Sequence, residues 1–135
     1  DNSGVFPFAE DLNNFSLRLD QRLSEKHSLF LRANGATNFQ QNSSFGALDA
    51  YNRGRSLDWF DGTLMLGDAY VFNPRWLMDT RLMFNYGTVD IVPTDPLGPE
   101  INIGGFGFFN RQSFLPYQGT ERHYQAIQNF TYSSG

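Results

Sequence analysis

The chain has 135 residues, a formal net charge of −4, no cysteine, and an aromatic share dominated by its 14 Phe. Ten basic residues scattered singly do not form the clustered Lys/Arg surface of a nucleic-acid binder, and without cysteine neither disulfides nor thiolate zinc sites are possible. No apolar run approaches the roughly eighteen residues of a transmembrane helix, but a membrane β-strand needs only about ten with alternate positions apolar, so a barrel stays open.

The chain opens on Asp1, Asn2, Ser3 and Gly4 rather than on a basic, apolar leader, which reads as a mature or excised piece. The first strand is expected from Asn14 to Leu23. There Phe15, Leu17 and Leu19 alternate with Ser16, Arg18, Asp20 and Arg22, so that one face is apolar and the other charged. A polar turn near 24–27 leads into a second strand from Ser28 to Gly35, with Leu29, Leu31 and Ala33 opposite Phe30, Arg32 and Asn34. Residues 37–61 are rich in Asn, Gln, Ser, Gly and Asp without sustained periodicity and read as a long loop.

A third strand is expected from Gly62 to Phe72, a short turn at 73–75 around Pro74, and a fourth strand from Trp76 to Gly87. The fourth has the cleanest pattern in the chain. Trp76, Met78, Thr80, Leu82, Phe84 and Tyr86 share one face, while Asp79, Arg81 and Asn85 lie on the other with Leu77 and Met83. An uncharged face that is apolar in its middle and aromatic at both ends is how a strand looks when it crosses a bilayer with rings at each interface. A second long loop follows at 88–122, punctuated by Pro93, Pro96, Pro99 and Pro116, and His123 to Tyr132 closes the series.

Short turn, long loop, short turn, long loop is the connection pattern of an antiparallel membrane barrel with short periplasmic turns and longer extracellular loops. The expected fold is therefore all-β, an up-and-down antiparallel meander of about five strands forming part of a transmembrane barrel wall. Five strands cannot close a barrel, since about eight are the minimum in a membrane. Two strands fit less cleanly. Asp68 shares its face with Leu64, Leu66, Tyr70 and Phe72, and because a charge facing lipid is costly we place Asp68 in the lumen. In the last strand Gln128 interrupts an otherwise apolar row of Tyr124, Ala126, Phe130 and Tyr132.

Candidate chemistry is sparse. His27 and His123 have no partner at a metal-like spacing and are read as turn and strand-end residues. Asp58 and Asp61 flank Trp59 and Phe60 without the regular oxygen-ligand spacing and closing Glu of a calcium loop. Gly104 to Phe109 lacks the strand-to-helix setting of a phosphate loop and reads as a loop folding over a barrel mouth. No nucleophile, base and orienting group form a set, so no catalysis, cofactor or metal is expected. Trp59, Phe60, Phe106, Phe108 and Phe109 are the loop candidates for ligand contact. Arg18, Asp20, Arg32, Asp68, Asp79 and Arg81 are the candidates for facing the lumen and a plug.

Taken in order, the stretches Asn14 to Arg32, Leu66 to Pro74, Arg81 to Asn85, Ile101 to Gly107 and Gln128 to Tyr132 resemble the barrel of TonB-dependent outer-membrane transporters. They look most like the group whose full chains carry a carboxypeptidase-regulatory-like domain before the plug. The resemblance implies a slice of barrel from a Gram-negative outer membrane, with membrane lipid, the rest of the barrel, a plug domain and TonB as partners. The plug and the TonB-binding segment lie upstream in that family and are not recognisable in these residues. It further implies active uptake of a nutrient such as a metal chelate, glycan or peptide. The alternatives are a soluble all-β carbohydrate-binding module, stacking sugar on Trp59, Phe60, Trp76 and the Phe-rich loop, and a surface protein assembling through strand edges.

Overall fold

The computed structural model describes residues 5–44, 46 and 48–134. The opening Asp1 to Gly4, read as the start of an excised piece, lies outside them. Seven strands form in chain order: β1 (Ala9–Ser24), β2 (His27–Ser43), β3 (Arg55–Asn73), β4 (Trp76–Pro93), β5 (Ile101–Ile103), β6 (Gly107–Phe109) and β7 (Tyr117–Tyr132). A 3-10 turn, Tyr51–Arg53, precedes β3. The five long strands make one antiparallel sheet in the order β1-β2-β3-β4-β7, and β5 pairs with β6 in a separate small hairpin.

All five expected strands are present, and each is longer than expected. The 37–61 segment is not one loop: β2 runs on to Ser43 and β3 begins at Arg55. The 88–122 segment likewise gives up Thr88 to Pro93 to β4 and Tyr117 to Arg122 to β7, and encloses the β5–β6 hairpin. Strands of 16 to 19 residues rise roughly 50 to 60 Å, about twice what a tilted strand needs to cross an apolar band some 25 Å tall. The strand ends read as loop because their side chains do not alternate between apolar and polar.

The two turns are as short as their sequences require. Glu25-Lys26 and Pro74-Arg75 are the only residues between their strands. Each is tied by the residue before it: Lys26 N donates to Ser24 Oγ at 3.2 Å, and Arg75 N donates to Asn73 Oδ1 at 2.9 Å. Such side-chain acceptors stand in for the backbone bonds a turn leaves open.

By internal contacts the chain divides into two compact units. One comprises Asn14–Ala36, Asp61–Gly87 and Glu121–Gly135, the alternating parts of the five long strands. The other comprises Asp1–Asn13, Thr37–Phe60 and Thr88–Thr120 and holds the remaining strand ends, the 3-10 turn and the β5–β6 hairpin. Neither has a large sealed core: among the described residues the buried hydrophobic side chains are Ala50 and Leu115, both in the second unit. Every residue of β1 is exposed, and β7 is exposed at all but one position. These are the two edges of the main sheet.

Candidate functional site

In the strand unit the contacts fix which residues share a face. Ser16 Oγ donates to Asn34 Oδ1 at 2.7 Å, and the Arg18 guanidinium lies 4.6 Å from the centre of the Phe30 ring. A Cβ on Gly67 would collide with that same Phe30 ring, so the odd-numbered residues of β3 join this face. Asn85 Nδ2 completes it on β4 by donating to Thr63 Oγ1 at 3.1 Å and to Asp61 Oδ2 at 3.0 Å. This is the polar face.

On it the charges pair along single strands. Arg18 Nε donates to Asp20 Oδ2 at 2.8 Å and its Nη2 to Oδ1 at 2.7 Å, Arg32 Nε donates to Asn34 Oδ1 at 3.2 Å, and Arg81 Nε lies 3.0 Å from Asp79 Oδ1. Residues two apart on a strand project to the same side, so each strand carries its own partners. Arg22 turns back to the Ser24 carbonyl at 3.3 Å. A cleft of about 350 Å³ opens among Arg18, Asp20, Arg22, Phe30, Gly67 and Asp79. Five of the six lumen candidates therefore share this face.

Asp68 does not. It lies on the opposite, apolar face with Leu64 and Leu66, and its Oδ1 is 2.6 Å from His27 Nε2. The His27 ring meets the Tyr70 ring edge-on at 5.3 Å, and Tyr70 meets Phe72 in the same way at 4.8 Å. The expectation of a lumen position took the penalty of a charge at mid-membrane. His27 opens β2 directly after a turn, which puts the pair at the turn end of the sheet, where the cost of a lipid-facing charge falls to about 0–1 kcal/mol. A His directly after a turn and an Asp in an otherwise apolar row were the available signal.

The rest of the apolar face is banded. Trp76 and Tyr132 meet at 4.9 Å at the turn end, Phe84 and Tyr124 at 5.0 Å further along the same two strands, with Met78, Thr80 and Leu82 between. Thr80 Oγ1 donates to Gln128 Oε1 at 2.8 Å, so the residue that broke the apolar row has its partner on β4.

The second unit is organised around Arg53, whose side chain is only 12% exposed. Its Nε lies 3.0 Å from Asp49 Oδ1, its Nη1 donates to Glu100 Oε1 at 2.6 Å, and the guanidinium stacks 4.7 Å from the centre of the Phe108 ring. The other oxygen of Glu100 accepts from the backbone N–H of Ser113 at 2.8 Å and from its hydroxyl. The Ser113 hydroxyl foremost, and then Arg53, hold the Glu100 carboxyl down to about 2. Backbone bonds from Ala50 N to Phe108 O at 3.0 Å and from Phe108 N to Leu48 O at 2.8 Å join β6 to the segment before the 3-10 turn. The approach is close enough that a Cβ on Gly107, whose φ is +147°, would strike the Leu48 carbonyl oxygen.

The loop candidates for ligand contact are thus dispersed. Phe108 is covered by Arg53, Phe109 is half-buried, and Phe106 stands 79% exposed at the hairpin tip. Trp59 and Phe60 are not in a loop but within β3. Asp58 lies on β3, and Asp61 accepts from Asn85. His123 is on β7 and exposed. Among the described residues no group of three or more His, Asp or Glu side chains is placed to hold a metal ion.

A soluble sandwich would need a second sheet over the apolar face, and among the described residues the second sheet is two strands of three residues each. Neither a curated protein nor a solved structure matches the chain. A family model described as an outer membrane beta barrel domain matches residues 3–135, in keeping with a long-stranded antiparallel sheet that is polar on one face and belted with aromatics on the other. The chain belongs to that outer-membrane β-barrel family.

Proposed function

We propose that the chain is a length of barrel wall from a TonB-dependent transporter of a Gram-negative outer membrane, taking up a nutrient such as a metal chelate, glycan or peptide. The observation that carries this reading is the ordered resemblance from Asn14 to Tyr132, on a wall of five strands whose two edges, β1 and β7, have no further strand beside them among the described residues. Unpaired edges call for further strands, and plugged transporters of this kind use about 22. The polar face suits a plugged lumen. Its Arg18–Asp20 and Asp79–Arg81 pairs are open to solvent on one side, so a plug domain can take hydrogen bonds from them without leaving a charge bare.

The test is made on the whole gene product. Outer membranes of the source cells are treated with a cross-linker, and the product carrying this chain is identified by mass. A product several times longer than 135 residues, with an upstream plug and a cross-link to TonB, is the expected result. A product near this chain's own size, or a long one with no TonB cross-link under uptake conditions, overturns the reading. Reversing both charges at Asp79 and Arg81 in the complete protein tests the plug contact separately, since unchanged uptake and unchanged plug release would remove it.

A further inference from the structure

We propose that the apolar face carries a discrete site for one anionic membrane lipid, with an acyl chain in a groove across β3, β4 and β7 and the phosphate of the headgroup on Arg122. This rests on the apolar face being the lipid-facing one, as membership of the barrel family implies. The groove is open, has a volume of about 460 Å³, and is lined by Leu64, Leu66, Leu82, Phe84, Tyr124 and Ala126. Its floor is low because Ala126 stands where its neighbours on the same face of β7 are Tyr124 and Gln128. A rim of two rings, Phe84 and Tyr124 at 5.0 Å, closes the end away from the turns.

Just past that rim on the same two strands, the Arg122 guanidinium lies 5.4 Å from the centre of the Tyr86 ring. That contact fixes where the cation sits without using its N–H groups in the ring plane. Among the described residues no carboxylate bridges Arg122, whereas Arg18 and Arg81 each have one and Arg53 has two. An unbridged guanidinium at the boundary of an apolar groove is complementary to a molecule with a hydrocarbon chain and an anionic head, and a planar fork of N–H donors suits phosphate oxygens. A neutral lipid satisfies the groove and leaves the arginine unmatched.

The experiment uses the complete outer-membrane protein, delipidated in detergent, with phosphatidylglycerol and diacylglycerol of identical chains as probes. Lipid retained per protein is counted by native mass spectrometry, with heat-modifiable gel mobility reporting the folded barrel. The wild type should retain one phosphatidylglycerol in preference to diacylglycerol. Arg122→Gln should cut phosphatidylglycerol retention roughly tenfold, as expected for loss of a charge-assisted hydrogen bond, and leave diacylglycerol unchanged. Ala126→Leu should fill the groove and reduce both. Equal retention of the two lipids by the wild type, or an unchanged preference in folded Arg122→Gln protein, overturns the proposal. Should Ala126→Leu fail to fold, Ala126→Val gives the same reading with a smaller side chain.

Discussion

Thr80 and Gln128 share the apolar face on adjacent strands and satisfy each other, the Thr80 hydroxyl donating to the Gln128 side-chain oxygen at 2.8 Å. Thr80→Val should therefore destabilise the folded barrel by about 1–2 kcal/mol, because it leaves an amide oxygen unpaired beside hydrocarbon. Adding Gln128→Leu should recover most of that loss, since two apolar groups replace two matched polar ones. Urea unfolding of the complete protein from lipid vesicles measures both. Additive losses in the double variant would mean that the pair does not act as a pair.

His27 should matter chiefly as the partner of Asp68. His27→Ala is expected to cost about 1 kcal/mol by removing the 2.6 Å partner of a carboxylate on the apolar face. In an Asp68→Asn background the same substitution should cost much less. A double-mutant cycle by the same unfolding assay checks this, and a coupling near zero would refute it.

Glu100 gives the second unit an acid limit. Its carboxyl titrates at about 2 when folded against an ordinary value of 4.5, held down by the Ser113 hydroxyl and Arg53. A lowered folded value means that the stabilisation is fully present above pH 4.5 and is lost as the pH falls through about 2. Hydrogen exchange of the 48–54 and 100–113 segments should accelerate across that window, and Glu100→Gln should flatten the dependence. An unchanged profile in the variant would place the acid sensitivity elsewhere.

Gly67 is needed because the Phe30 ring occupies the space above it, as aromatic rings do when they cover a glycine on a neighbouring strand. Gly67→Ala should cost about 1–3 kcal/mol by overpacking and should move the ring from beneath Arg18. Phe30→Leu in the same chain should relieve part of this. Thermal unfolding of the two variants and their combination decides it, and a Gly67→Ala protein as stable as the wild type would show that the ring swings away freely.

The sequence disclosed the wall better than what lies beyond it. From Trp76 to Tyr86 alternation is strict, and strand and face could be assigned from residue types alone. At Asn38, Gln40 and Asp90 that alternation is gone. There the strands are held by bonds such as Gln40 to Glu10 at 2.8 Å and Gln118 to Asp90 at 3.2 Å, which polar side chains make without any period. The Arg53 cluster was illegible for a related reason, since it joins Asp49, Glu100 and Phe108 across more than fifty residues of chain. Asp68 is the converse case: the cost of a charge at mid-membrane assigns it to the lumen, whereas it lies on the apolar face at the turn end, beside His27.

The polar-face ion pairs have a consequence for assembly. Arg18 and Asp20 belong to one strand, and so do Asp79 and Arg81. These four charges are thus neutralised within β1 and within β4 before either strand meets a neighbour. A barrel whose charges matched only across strands would hold bare ions in every half-built intermediate and would favour one order of closure. Here both pairs are matched before β1 or β4 meets a neighbour, so they favour no order of strand addition.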